Sequence, residues 1–142
     1  TPSMLCVEDF LDALNWTREV GGLSALISKS KNNLNIIKNW ISDSHWADFL
    51  CEDVNNLSST SICLKLVDPK IIDLPLETKN NVEKNIVKLL EDHKVAFDIG
   101  SYRSAPPGFR IWGGPTVEND DVKNLLPWLD WAYNETLDQL KI

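Results

Sequence analysis

The C-terminal stretch constrains the fold most, because Val122, Leu125, Leu126, Leu129, Ala132, Tyr133 and Leu140 recur there at helical spacing. Apolar side chains three and four positions apart line one face of a helix, and so long a stripe needs a second layer to cover it. Asn119 reads as the N-cap of this helix, with Asp120 and Asp121 placing helpful negative charge in the first turn. Pro127 removes one backbone bond inside it, which predicts a kink. Upstream, Val7, Phe10, Leu11 and Leu14 form another stripe that Gly21-Gly22 can stop. A second helix is expected from about Leu23 to Ile41, with Leu34, Ile37 and Ile41 inward, and a third across Thr78 to Lys94, marked by Val82, Ile86, Leu89 and Leu90. Elsewhere the period changes. Ser61 to Val67 alternates, sending Ile62, Leu64 and Leu66 one way and Ser61, Cys63 and Lys65 the other. Val95 to Ile99 and Phe109 to Trp112 also read as short strands. Short strands set between helices predict an α+β domain, an α/β two-layer arrangement of a short sheet on helices.

The charge balance narrows the function. With 21 acidic residues against 14 basic ones, the net charge is −7 and no basic run occurs. Nucleic-acid binding rests on clustered Lys and Arg that neutralise phosphates, so no nucleic-acid partner is expected. No apolar run reaches the ~20 residues of a membrane span, and no signal-peptide pattern is present. Cys6, Cys51 and Cys63 are odd in number and widely spaced, giving neither a disulfide framework nor metal-ligand spacing. A reducing cytoplasm is the expected compartment. The opening Thr1-Pro2-Ser3-Met4 fits a processed chain and a piece of a longer one alike.

Only three of the basic residues are arginines, and two of them flank one stiff loop, Tyr102-Arg103-Ser104-Ala105-Pro106-Pro107-Gly108-Phe109-Arg110-Ile111-Trp112. A guanidinium is a planar fork that grips a carboxylate or phosphate with two parallel hydrogen bonds, whereas an ammonium acts as a point charge. The two prolines fix their own φ angles, and strand alternation then puts Arg110 and Trp112 on one face, with Phe109 and Ile111 on the other. Arg110, held beside that indole, is the leading site candidate. A structural ion pair is its competing explanation, and Arg103 is less secure, since a loop arginine is more often solvated than bound. His45 and His93 have no second ligand at metal spacing; His93 suits a helix C-terminus. Lys65 points away from the apolar face of its strand, which argues against a carbonyl-reactive lysine, and Cys63 shares that face without a histidine to activate it. Trp128 and Trp131 stand off the main stripe of the last helix, either as core or as a surface that another domain or subunit covers. The pairs Glu52-Asp53 and Asp120-Asp121 read as solvated charges. These residues make no complete catalytic constellation.

The arginine loop also carries a resemblance. Arg103-Ser-Ala-Pro-Pro-Gly-Phe-Arg-Ile-Trp112, Pro-Thr-Val-Glu118 and Leu-Leu-Pro-Trp-Leu-Asp-Trp-Ala132 resemble the C-terminal end of bacterial phosphoserine aminotransferases. So do Thr1-Pro-Ser-Met-Leu-Cys-Val-Glu-Asp9, Leu11-Asp-Ala-Leu-Asn-Trp16, Gly21-Gly-Leu23 and Thr60-Ser-Ile-Cys-Leu-Lys65, so that nearly the whole chain is covered in order. The resemblance implies the small C-terminal domain of an aspartate-aminotransferase-like fold, residues 47–142, preceded by connecting helices over 1–46 that lead out of a pyridoxal-phosphate-binding domain. It implies a homodimeric enzyme that uses pyridoxal 5'-phosphate and exchanges an amino group between L-glutamate and 3-phosphohydroxypyruvate, giving phosphoserine for serine biosynthesis. On the same ground Arg110 would hold the substrate α-carboxylate and Arg103 the substrate phosphate, with Tyr102 where the family often has histidine. Thr1 would reach the cofactor phosphate of the neighbouring subunit. The lysine that carries the cofactor would precede Thr1, so no catalytic residue and no metal site is expected in this segment, and the segment alone should be inactive. Gly113-Gly114-Pro115 and Leu57 depart from the family pattern, which tends to Cys-Gly-Ala and Arg. The alternative is a free-standing, non-catalytic binding or dimerisation module of the same fold.

Overall fold

A computed structural model describes residues 3–102 and 104–142. Two helices open the chain, α1 (Met4–Glu19) and α2 (Gly22–Asp43). Gly21 and Gly22 join them at φ 105° and 76°, backbone angles that a side chain would resist. The expected stop therefore falls where the glycines are. The apolar stripe of α1 is present but uncovered: no residue of the helix is buried, and Phe10 is 64% exposed. By contrast, α2 buries Leu34 and Ile37, as its periodicity predicts, together with Ser30 and Asn33.

Three strands follow in an antiparallel sheet of order β1-β2-β3: β1 (Ala47–Phe49), β2 (Ser61–Leu66) and β3 (Gly108–Trp112). Between β2 and β3 lie the one-turn α3 (Pro69–Ile72) and the long α4 (Leu76–Asp92), and α5 (Asn119–Leu140) ends the architecture. Ile62 and Leu64 of β2 and Phe109 and Ile111 of β3 are buried on one sheet face. They pack into one core with Val82, Ile86 and Leu90 of α4 and Val122, Leu129 and Ala132 of α5. Full burial of each such aliphatic side chain stabilises the fold by about 1.5–3 kcal/mol. The helices α2 and α4 both pack against α5, giving the two-layer α+β form that the patterning implied.

Three expectations need correction. Val95 to Ile99 is not a strand, because Lys94 and Asp98 take left-handed φ of 58° and 54° and curl the segment; only Gly100 makes an isolated bridge, to Phe109. The third strand is instead β1, too short to show a period. Asn119 is not the N-cap of α5; Glu118 holds that position, and Asn119 Nδ2 donates to Asn33 Oδ1 at 2.6 Å. Leu140, expected on the inner stripe of α5, is exposed at the end of the helix.

Buried polar residues tie the layers. Asn33, fully buried in α2, donates to the carbonyls of Gly113 at 3.2 Å and Val117 at 3.0 Å, so it holds the turn that leaves β3. Asp68 caps α3 by accepting from the Lys70 amide at 2.7 Å and also accepts from the Tyr133 hydroxyl of α5. Tyr133 stacks flat on Trp46, ring centroids 4.4 Å apart. The Trp46 and Trp40 indoles donate to the two carboxylate oxygens of Asp130 at 2.8 and 2.9 Å.

Candidate functional site

At the start of β3, a side chain on Gly108 would collide with the Leu64 carbonyl oxygen, so glycine is what lets the two backbones meet. The register then runs from Gly108 opposite Lys65 to Trp112 opposite Ser61 and places Arg110 opposite Cys63. Alternation sends Arg110 to the face away from the core, as expected, with its side chain 21% exposed. The segment beside it is pinned. The Arg110 amide donates to the Ile99 carbonyl at 2.8 Å, and Ser101 donates through its amide and hydroxyl to Glu83 Oε1 at 2.8 and 2.7 Å.

This pinning brings Tyr102 over the guanidinium, whose central carbon lies 4.4 Å from the ring centroid. Such a cation–π contact contributes about 0.5–1 kcal/mol at an exposed site. The aromatic partner of Arg110 is thus Tyr102 and not the expected indole. Trp112 turns instead across Gly114, and its Nε1 donates to Thr116 Oγ1 at 3.4 Å. Arg110 Nη2 donates to the Asp98 carboxylate at 3.0 Å and to its carbonyl at 3.4 Å. Arg110 Nε is buried and has no acceptor among the described residues.

Magnitudes separate the two explanations of Arg110. Asp98 is 92% exposed, and an ion pair with so solvated a partner contributes about 0–1 kcal/mol. Leaving a guanidinium nitrogen buried without an acceptor costs about 1–3 kcal/mol. The pair with Asp98 therefore does not account for the whole fork, since Nε keeps a donor with no acceptor among the described residues. The cleft on this side has a volume of 260 Å³ and is walled by Phe97, Ile99, Trp112 and Leu125.

Of the other candidates, His93, Trp128, Trp131 and His45 lie apart. A larger cleft of 430 Å³ is formed by His93, Pro127, Trp128 and Trp131. It offers no fixed cation for an anion, and His93 packs edge-on against Trp131 at 4.8 Å. His45 is mostly exposed, its Nε2 3.9 Å from Asp68. Lys65 and Cys63 share the outer sheet face with Arg110, and all three cysteines are free thiols. Leu57 packs partly buried against the core. Among the described residues no cluster of His, Cys, Asp or Glu could hold a metal ion, and no helix is long and apolar enough to cross a membrane. Thr1 and Arg103 lie outside the described residues.

Reading the sequence missed Asp98, Asp68 and Asn33. Burial would raise the Asp68 pKa, but the hydrogen bonds from Tyr133 and the Lys70 amide, with the nearby charges of His45 and Lys70, bring it below the ordinary value. Burial, together with the Asp68 carboxylate, drives the Tyr133 hydroxyl far above its usual range. Both shifts belong to a satisfied structural cluster. The Asp68-Pro69 pair was the available signal, since an aspartate before a proline is a familiar helix start.

No family model matches the chain. Curated relatives do. A phosphoserine aminotransferase of Methanosarcina barkeri is 46% identical over 134 residues, covering 94% of this chain and 34% of the relative. One from Methanosarcina mazei is 44% identical over the same coverage. The chain thus spans about a third of the length of these relatives. Among solved structures, the phosphoserine aminotransferase of Bacillus circulans subsp. alkalophilus superimposes with a TM-score of 0.78 at 20% identity, covering 95% of this chain and 34% of that one. A second, from a study of radiation damage of the Schiff base in phosphoserine aminotransferase, gives 0.67 at 15% identity, covering 86% of this chain and 31% of that one.

Proposed function

We propose, for a chain that belongs to the phosphoserine aminotransferase family over the segment it spans, that it is the C-terminal portion of an enzyme moving an amino group between L-glutamate and 3-phosphohydroxypyruvate in serine biosynthesis. The observation that carries this reading is Arg110: a guanidinium fixed by a strand, stacked under Tyr102, with one buried nitrogen that has no acceptor among the described residues. Both substrates present an α-carboxylate, which this fork binds and orients. Tyr102 keeps the guanidinium plane in place. Arg103 supplies the second cation, for the phosphate that only one of the two substrates carries, and Thr1 meets the cofactor phosphate of a neighbouring subunit. Helices over 1–46 connect to a cofactor-binding domain, and 47–142 form the small domain of a cytoplasmic homodimer.

Pyridoxal phosphate, when bound, supplies the electron sink that amino transfer requires. The described residues fit a substrate anion and not the covalent seat of that cofactor, since no lysine lines either cleft beside Arg110. On this reading covalent anchoring belongs to the cofactor-binding domain, and the segment alone is inactive.

The test is the product of the complete gene, supplied with pyridoxal phosphate. We expect a mass more than twice the 16.1 kDa of this chain and glutamate-dependent transfer that phosphoserine inhibits. A product near 16.1 kDa would return the chain to a non-catalytic module. Transfer indifferent to phosphoserine would mean an unphosphorylated acceptor. Arg103→Ala should impair the phosphorylated substrates more than glutamate, and equal losses would remove the phosphate role.

A further inference from the structure

We infer that Asp98 is a built-in competitor for the carboxylate seat of Arg110, a residue that sets how tightly the site takes its substrates. The inference rests on the reading of Arg110 as the substrate carboxylate clamp. Its basis is the donor geometry. A guanidinium grips a carboxylate in parallel either through its two terminal nitrogens or through Nε and one terminal nitrogen. When Nε pairs with Nη2, both modes use Nη2, and Nη2 is the atom that Asp98 occupies, through Oδ2 at 3.0 Å and its carbonyl at 3.4 Å. An arriving carboxylate that uses Nη2 must displace the Asp98 side chain or share that nitrogen with it.

The position of Asp98 suits a competitor that yields. It sits at a left-handed φ of 54° in the curled segment after α4, and its side chain is 92% exposed. It reaches Arg110 from solvent and can return there. So exposed a pair is weak. The two ends of the contact are held differently: the backbone around Arg110 is pinned through Ile99, Ser101 and Glu83, while among the described residues the Asp98 carboxylate meets the guanidinium alone. Substrate binding thus exchanges one carboxylate for another on a fork that is already in place.

The exchange predicts a direction opposite to that of a supporting residue. In the complete enzyme loaded with pyridoxal phosphate, Asp98→Asn should lower KM for glutamate and for 3-phosphohydroxypyruvate together, by about two- to fivefold, the scale of a solvent-exposed ion pair. The value of kcat should stay within twofold, and a simple dicarboxylate such as maleate should inhibit correspondingly more strongly. Asp98→Glu, which keeps a carboxylate on a longer stem, should stay closer to the parent than Asp98→Asn does. Unchanged or raised KM values in Asp98→Asn, while Arg110→Ala still loses activity, would overturn the competitor role and leave the clamp standing. An unaffected Arg110→Ala would remove the clamp and the competitor together.

Discussion

Two aspartates in this molecule each bind one conspicuous partner, and their surroundings give them opposite work. Asp68 is 5% exposed, bonded to the Tyr133 hydroxyl and to the Lys70 amide, beneath the stacked rings of Trp46 and Tyr133. Asp98 stands in solvent and touches one nitrogen of Arg110. At Asp68 both carboxylate oxygens have donors, so that region contributes stability and offers no capacity for a ligand. At Arg110 a donor is left over among the described residues. A polar group that is buried and fully paired locks a fold, whereas one that is held in place but incompletely paired can bind.

Substitutions at the closed region should cost the most stability. Trp46 is 1% exposed, and Trp46→Ala should destabilise by about 3–5 kcal/mol, seen as lost hydrogen-exchange protection of the α5 amides in the complete protein. Unchanged protection would mean that the stacked cluster is not what holds α5. Asn33→Ala removes a donor shared by buried carbonyls and should cost about 2–3 kcal/mol. Its effect should concentrate in the turn after β3. Tyr133→Phe takes one donor from Asp68, with an expected loss of about 1.5–3 kcal/mol. If that variant were as stable as the parent, the bond would be incidental.

Acid provides a finer comparison. The folded Asp68 has a pKa below its unfolded value, so the unfolded chain takes up the proton first. Its stabilising contribution is therefore complete above about pH 4 and is lost as pH falls through the depressed folded pKa. Protection of α5 should decline in that acidic range, and Asp68→Asn should flatten the decline. Tyr133 behaves in the opposite sense: its raised pKa means that stability is full below about pH 10 and falls at higher pH. The smallest expected effect on stability is at the open region, where Asp98→Asn should change it by less than about 1 kcal/mol. A larger loss would make the Arg110–Asp98 pair structural.

Much of this was legible in the residues. The long stripe of α5, the alternation of β2 and the outward turn of Arg110 follow from periods of 3.6 and 2, and the structure has them. The same periodicity in α1 announced an apolar face without saying what covers it, and none of that face is buried here. Val95 to Ile99 has strand composition, but left-handed angles at Lys94 and Asp98 override it. That curl also brings Asp98 to Arg110 across twelve positions, a contact no local pattern announces. Asn33 did leave a trace, a polar residue four positions before Ile37 on the buried face of α2. Tyr102 was found as a site candidate through the family resemblance, while its stacking on the guanidinium depends on the bonds that hold Ile99 and Ser101.

On the proposed function, the decisive measurement is kcat/KM for Arg110→Ala in the complete aminotransferase, with its folding checked by circular dichroism. Loss of a desolvated carboxylate clamp should cost about 3–5 kcal/mol of substrate recognition, on the order of a hundredfold to a few thousandfold. Both glutamate and the phosphorylated substrate should suffer, because both carry the carboxylate. A loss below about fivefold in a correctly folded enzyme would contradict the assignment of Arg110 as the carboxylate clamp.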